Sequence, residues 1–167
     1  FPHGLGVTAL SKYVNWKRND IVEIILNSIN RNECYKLLKV SYALESACGS
    51  GNTELVMIIR RHVSEDNWCK LLELGLSSFS PLQLALEYGH IDIVKYIQAS
   101  VTAEQWYELL KPGRQAALRD KTELMMYIHR SVTAEQWYEL LHQEDSWGFT
   151  AIDTAVFQGN THVIDTI

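Results

Sequence analysis

Apolar residues recur along the chain at intervals of three and four, and no segment keeps a strict apolar–polar alternation. This spacing places apolar side chains on one face of an α-helix and argues against strands. The clearest stripe is an apolar pair followed by isoleucine about one turn later. It occurs five times, at Ile21/Val22/Ile25, Leu55/Val56/Ile59, Ile93/Val94/Ile97, Leu124/Met125/Ile128 and Val163/Ile164/Ile167. Five narrow stripes predict an all-α protein whose helices bury one face against their neighbours.

A longer motif recurs together with these stripes. Residues 100–110 and 131–141 carry the same eleven letters, SVTAEQWYELL, and weaker copies stand at 62–72 and 30–38. A second pattern starts ahead of each copy and once more near the end of the chain, at Thr8, Tyr42, Ser80, Lys111 and Thr150. From each of the first four starts to the second leucine of the LL pair the distance is 30, whereas the joints that follow measure 4, 8, 1 and 9. A constant unit with variable joints predicts supersecondary units stacked in series.

The sequence of each unit predicts three helices. The first carries a small residue such as Ala47 or Ala85 where a neighbouring helix approaches, and the second carries the apolar stripe. The third begins at a hydroxyl residue with Gln three positions on, as in Thr102 and Gln105, which is a capping-box start. We therefore expect an α-solenoid. The tryptophans of the third helices are expected in the core between repeats, and they are Trp68, Trp106 and Trp137. An open alternative is that the two identical copies display one recognition surface twice, through Tyr107, Glu108, Tyr138 and Glu139.

Composition narrows the functional classes. The 167 residues suit one domain, and 15 basic against 20 acidic residues give a net charge of −5, which argues against binding nucleic acid by bulk charge. Three cysteines without CxxC spacing argue against a disulfide scaffold and a zinc site and favour a reducing setting. No apolar run approaches membrane-spanning length, and no phosphate loop occurs. A catalytic pair of a cysteine and a histidine that are distant in sequence and meet in the fold is an open alternative. We expect instead that the thiols are inert and that the protein is not an enzyme and holds no cofactor or metal.

Three segments resemble ankyrin repeats. SPLQLALEYGHIDIVKYI (80–97) is similar to the ankyrin core TPLHxAAxxGHxxIVxxL, and DSWGFTAIDTAVFQGNTHVIDTI (145–167) adds the DxxGxTxL turn. YALESACGSGNTELVMII (42–59) is a third match. The resemblance implies one domain, 1–167, that forms an ankyrin-like α-solenoid of about five stacked repeats, at about 8–41, 42–79, 80–110, 111–149 and 150–167. The third helix would replace the β-hairpin finger of ordinary ankyrin units. An armadillo-like three-helix solenoid is the alternative.

The same resemblance implies a non-catalytic scaffold that binds another protein through a concave groove, formed by the first helices and the turns before them. In the family, the residues just before the glycine that ends the first helix usually face this groove. The partner-binding residues expected on this basis are Trp16, Glu87, Tyr88, Arg119, Trp147, Phe149 and Phe157. At two of these positions there is an alternative. Trp16 would cap one end of the core, and Phe149 would pack under its turn.

The resemblance also bears on setting and context. We expect a monomer in the cytoplasm that binds protein and neither binds nucleic acid nor inserts into membranes. The chain is expected to be a piece of a longer protein. As an alternative function, it would be the substrate-recruiting or targeting domain of a larger enzyme, or of an effector that intracellular bacteria deliver to the host cytosol. A purely structural array that contacts only the rest of its own chain is a third possibility.

Overall fold

A computed structural model of the chain describes residues 9–73, 79–111, 122–144 and 148–158. These ranges contain twelve α-helices and no β-strand. The chain divides into two compact units, Phe1–Pro81 and Leu82–Ile167. The all-α class predicted from the apolar spacing is therefore confirmed for the described residues.

The helices follow the predicted triplets. In the first unit they are α1 (Ala9–Asn15), α2 (Asn19–Asn27), α3 (Arg31–Ser41), α4 (Ala43–Gly49), α5 (Thr53–His62) and α6 (Glu65–Glu73). From the unit boundary onward they are α7 (Pro81–Tyr88), α8 (Ile91–Ala99), α9 (Ala103–Leu110), α10 (Thr122–Ser131), α11 (Ala134–His142) and α12 (Ala151–Gln158). The predicted first helix of the fourth repeat and the second helix of the fifth lie outside the described residues.

Three of the third helices begin with a capping box. In α9 the Thr102 hydroxyl accepts from the Gln105 backbone N–H at 3.2 Å, and the Gln105 side chain accepts from the Thr102 N–H at 2.9 Å. Helix α11 repeats this arrangement, as predicted. Helix α3 has a capping box too, between Asn30 and Glu33, which the sequence reading did not identify. Each box satisfies backbone N–H groups that the first turn leaves without an acceptor.

The first helices end on a residue with left-handed backbone. Gly51 and Gly89 have φ of 70° and 73°, as expected for glycine after a helix. Lys17 occupies the same place after α1 with φ of 55°, although a lysine side chain disfavours that conformation. The backbone N–H of Arg18 donates to the Tyr13 carbonyl at 2.9 Å, which closes the turn. The turn thus forms even where the ankyrin-like glycine is replaced.

In the first unit, equivalent helices of the two repeats pack against each other. Helix α1 contacts α2 and α4, α5 contacts α4 and α2, and α3 contacts α1, α4 and α5. The side chains of Asn19 and Asn52 exchange hydrogen bonds of 3.1 and 2.9 Å near the starts of α2 and α5. At the other end of this pair, His62 Nε2 lies 3.0 Å from Asn27 Oδ1. The second helices of the two repeats are therefore linked at both ends.

The second unit shows corresponding links. The Tyr127 hydroxyl on α10 donates to Gln98 on α8, and the Tyr107 hydroxyl on α9 donates to Glu139 on α11. Helix α11 also contacts α12. All three third-helix tryptophans are buried, which confirms their predicted place in the core. The alternative in which Tyr107 is displayed on a repeated surface is wrong, because its side chain is 8% exposed and bonded to the next repeat.

Candidate interaction surface

Trp16 lies in the turn after α1 and is 67% exposed. The Tyr13 ring meets the indole edge-on, with ring centroids 5.9 Å apart. Such exposure does not fit a residue that caps the end of the core. The turn closed by Arg18 and Lys17 instead holds the indole towards solvent.

Glu87 and Tyr88 form the end of α7, and both are exposed. The Tyr88 ring is 61% exposed and stacks on His90 across the Gly89 turn, with ring centroids 6.3 Å apart. Because α7 ends at this left-handed glycine, the tyrosine stands at the tip of the helix rather than on its buried face. Leu82, Ala85 and other residues of the same helix are buried.

Phe149 and Phe157 are placed by α12. Thr150 begins this helix, and its hydroxyl accepts from the Asp153 N–H at 3.1 Å while the Asp153 carboxylate accepts from the Thr150 N–H at 2.8 Å. The Thr150 hydroxyl also donates to this carboxylate, at 2.7 Å, and together with the bond from the Thr150 N–H it lowers the pKa of the Asp153 carboxyl. Phe149 immediately precedes the cap and is exposed, so it does not pack under its turn. Phe157 near the end of the helix is 93% exposed.

The seven predicted binding residues are therefore distributed over both units. Trp16 belongs to the first unit, and Glu87, Tyr88, Phe149 and Phe157 belong to the second. The predicted residues Arg119 and Trp147 lie outside the described residues. All five described residues are exposed. Phe149 stands before the start of its helix, and the other four stand at, near or just after the end of theirs. Large apolar side chains exposed in this way are typical of protein contact sites.

The thiols lie in surroundings that suppress their reactivity. Cys34 and Cys48 are buried, and Cys69 is half-buried on α6. Burial raises the pKa of all three thiols above its usual range. A thiol held in its protonated form is a poor nucleophile. Among the described residues, no group of three or more His, Cys, Asp or Glu side chains is placed to hold a metal ion.

The structure also contains a buried carboxyl that the sequence did not indicate. Glu45 on α4 is almost fully buried, and burial raises the pKa of its carboxyl to about 7. Its own backbone N–H acts in the opposite sense by favouring the carboxylate. A glutamate in the first turn of a short helix is normally exposed. Only the packing of α1, α3 and α5 around α4 explains the burial of this residue.

The identical third helices α9 and α11 differ in their surroundings, which sequence identity alone does not reveal. The Trp106 indole has an acceptor in the following repeat, whereas the buried Trp137 indole has none among the described residues. The acceptor of Trp106 is Ser131, twenty residues after the repeat start at Lys111 and 3.0 Å from the indole nitrogen. Because the two eleven-residue segments are identical, no residue within them signals this difference.

No helix among the described residues combines the length and the apolar character that crossing a membrane requires. Comparisons with protein-family models, curated proteins and solved structures found no match to this chain.

Proposed function

We propose that this chain is a non-catalytic scaffold of ankyrin-like repeats that binds a partner protein through the ends of its first helices. The observation that carries the proposal is the exposure of Trp16, Tyr88 and Phe157 at equivalent ends of three first helices. Elsewhere the chain buries its largest aromatic side chains, Trp68 and Trp106, completely. Aromatic residues exposed near the same end of several helices favour recognition of another protein.

Three further observations support this function. Like helices of neighbouring repeats contact each other in the first unit, as stacking in series requires. The turns at Lys17, Gly51 and Gly89 share one backbone conformation, so the ends of three first helices are built alike. Protonated thiols agree with a role that needs no cysteine nucleophile.

The test compares two triple variants that each lose three exposed apolar side chains. The first variant replaces Trp16, Tyr88 and Phe157 with serine. The control replaces Ile24, Val40 and Met57, which are exposed apolar residues of α2, α3 and α5, also with serine. Both variants should retain the helical circular dichroism spectrum, since the six side chains are exposed.

Crosslinking mass spectrometry in cell extract, with the chain as bait, would identify the partner of the unmodified protein and the face that it contacts. We expect at least a tenfold loss of that partner for the first variant, on the order of the effect of one removed anchor side chain, and retention by the control. Equal retention by both variants would remove the assignment of the binding surface.

A further inference from the structure

Lys17 occupies a backbone position that favours glycine. It follows α1 with φ of 55°, whereas the equivalent places after α4 and α7 are taken by Gly51 and Gly89. The Cβ atom of an L-residue opposes this left-handed conformation, so lysine makes the turn less stable than glycine would. Unfavourable backbone conformations are concentrated at functional sites, where the side chain is needed for another purpose. The presence of lysine here therefore indicates a role outside the formation of the turn.

No carboxylate of its own unit explains this lysine. Lys17 and Lys12 are both exposed, and neither forms an ion pair within the described residues. The unit Phe1–Pro81 contains eight Asp and Glu residues, and all of them lie within the described ranges. Residues 1–8 and 74–78, which lie outside those ranges, contain no acidic side chain. The two lysines are thus left without a carboxylate partner in this unit.

The acidic residues nearest in sequence are already paired. The Arg18 guanidinium donates two hydrogen bonds to the Asp20 carboxylate, at 2.9 and 2.7 Å. Arg61 on α5 donates to Glu23 on α2 at 3.0 Å. Because a bidentate contact of this kind satisfies both charges, Arg18 is neutralised within its own turn. The positive charge that remains beside α1 belongs to the two lysines.

These lysines flank an exposed aromatic ring. Lys12 precedes Trp16 by about one helical turn, and Lys17 follows it directly. The Trp16 backbone N–H donates to the Lys12 carbonyl at 2.9 Å, so all three residues are held by one turn. The indole is 67% exposed and meets the Tyr13 ring edge-on. An apolar surface between two cations suits a ligand that carries an apolar group between anions.

The neighbouring repeat presents small residues beside this turn. Asn19 and Asn52 exchange hydrogen bonds of 3.1 and 2.9 Å, which places the turns after α1 and α4 side by side. The residue equivalent to Trp16 in the second repeat is Ser50, which is exposed and precedes Gly51. No bulky side chain therefore covers the indole from the equivalent position of this repeat.

We propose that Lys12, Trp16 and Lys17, here called the Trp16 turn, bind an acidic peptide segment of the partner protein. Carboxylates of the segment would pair with the two lysines, and an apolar side chain between them would lie on the indole. The occupant follows from charge complementarity, since no carboxylate of the unit neutralises the Trp16 turn. A nucleic acid fits less well, because the chain has a net charge of −5 and the turn offers only two unpaired cations. The inference rests on the proposed function in taking Trp16 as a contact residue, and it adds the charge of the bound segment.

The test uses the full chain and a pool of synthetic hexapeptides, each with two acidic residues on either side of a central pair drawn from Leu, Pro and Phe. A matched pool carries Asn and Gln in place of the acids, and oligothymidine tests for nucleic acid binding. The indole N–H signal of Trp16 is followed by NMR and assigned with Trp16→Phe. We expect the acidic pool to shift this signal saturably and the amide pool to bind at least tenfold more weakly. Raising the salt concentration from about 50 to about 500 mM should weaken binding of the acidic pool at least threefold.

Three substitutions of Lys17 separate its charge from its backbone strain. Lys17→Arg keeps the charge and should bind the acidic pool like the parent. Lys17→Gln keeps a side chain on the left-handed backbone but removes the charge, so it should bind about threefold more weakly at unchanged stability. Lys17→Gly should weaken binding to the same extent while its free energy of unfolding rises. The control is Lys36→Gln, which removes an exposed lysine of α3 and should bind like the parent.

Several outcomes would overturn the inference. They are equal binding of the acidic and amide pools, equal affinity of Lys17→Gln and Lys36→Gln, and an unshifted Trp16 signal up to about 1 mM peptide. Binding of oligothymidine at Trp16 in place of the acidic pool would identify a nucleic acid and refute the acidic segment. If the triple variant of Trp16, Tyr88 and Phe157 still loses the partner, any of these outcomes removes this inference alone. Retention of the partner by that triple variant would refute this inference and the proposed function together.

Discussion

The indole N–H groups of Trp106 and Trp137 allow one substitution to be compared in two copies of the same segment. Replacement by phenylalanine keeps an aromatic ring and removes the N–H in each case. Both side chains are buried and belong to the same unit, so the loss of apolar contact is similar and largely cancels in the difference. What remains is the difference between a donor with an acceptor and a donor without one.

The magnitude follows from the two environments. Trp106→Phe removes the bond to Ser131, which contributes about 1 kcal/mol to the free energy of unfolding. Trp137→Phe removes a donor whose burial without an acceptor is unfavourable by about 1–3 kcal/mol. We therefore expect Trp106→Phe to be the more destabilising of the two by at least about 2 kcal/mol.

Urea unfolding followed by circular dichroism at constant temperature measures both variants without relying on tryptophan fluorescence. A double-mutant cycle with Ser131→Ala supplies the control, because it should show a coupling energy of about 1 kcal/mol with Trp106→Phe and none with Trp137→Phe. Equal destabilisation by the two phenylalanine variants, or a larger loss for Trp137→Phe, would contradict the assignment of the two environments.

Three further predictions concern single positions. Burial raises the pKa of Glu45 to about 7, so the contribution of this residue to stability is complete below about pH 4.3 and is lost as the pH rises through 7. The free energy of unfolding of Glu45→Gln, minus that of the parent, should therefore be roughly 3 kcal/mol larger at pH 8 than at pH 4 in urea unfolding. A difference that does not change with pH would contradict this prediction. The bond to Glu139 raises the pKa of Tyr107 to about 12. Tyr107→Phe should therefore lower the free energy of unfolding by about 1 kcal/mol at pH 7, and this loss should disappear between about pH 10 and 12. Tyr138→Phe should change the free energy of unfolding little in the same urea titrations. Lys17→Gly should raise the free energy of unfolding by about 0.5–1 kcal/mol, because the left-handed backbone no longer opposes a side chain, and a destabilised variant would show that the lysine makes a compensating contact.

Local sequence signals predicted the helix starts well, because a capping box depends on residues three positions apart. The helices after Thr102 and Thr133 begin where the sequence indicates. The box at Asn30 was missed because the prediction considered only Ser and Thr as caps, although asparagine oxygen is an equally good acceptor. The turn at Lys17 could not be predicted from local sequence in the same way. A lysine gives no signal for left-handed backbone, and the surrounding hydrogen bonds impose it.

Burial of polar residues was the least predictable property of the chain. Glu45 has the sequence surroundings of an exposed residue in a first helical turn, yet it is buried in a helix that packs against α1, α3 and α5. Exposure of Trp16, Tyr88 and Phe157 was easier to infer, since each stands one or two residues before the position expected to end its helix. Position relative to a helix end is a local property, whereas the burial of one glutamate depends on the whole unit.

Identical segments with different environments show that the role of a residue in this chain depends on its place in the series. Tyr107 and Tyr138 share their neighbours in sequence, yet one donates to the next repeat and the other stacks on His142. The side chain that lies against the tryptophan ring varies in type, while its position in the repeat is kept. Arg60 lies 5.8 Å from the Trp68 ring, and His129, at the equivalent position one repeat pair later, lies 4.9 Å from Trp137. The sequence of a repeat therefore fixes where its side-chain donors lie, and the residues that follow determine whether these donors have acceptors. This separation agrees with joints of different length, because the bonds described between repeats join the second and third helices of neighbouring repeats.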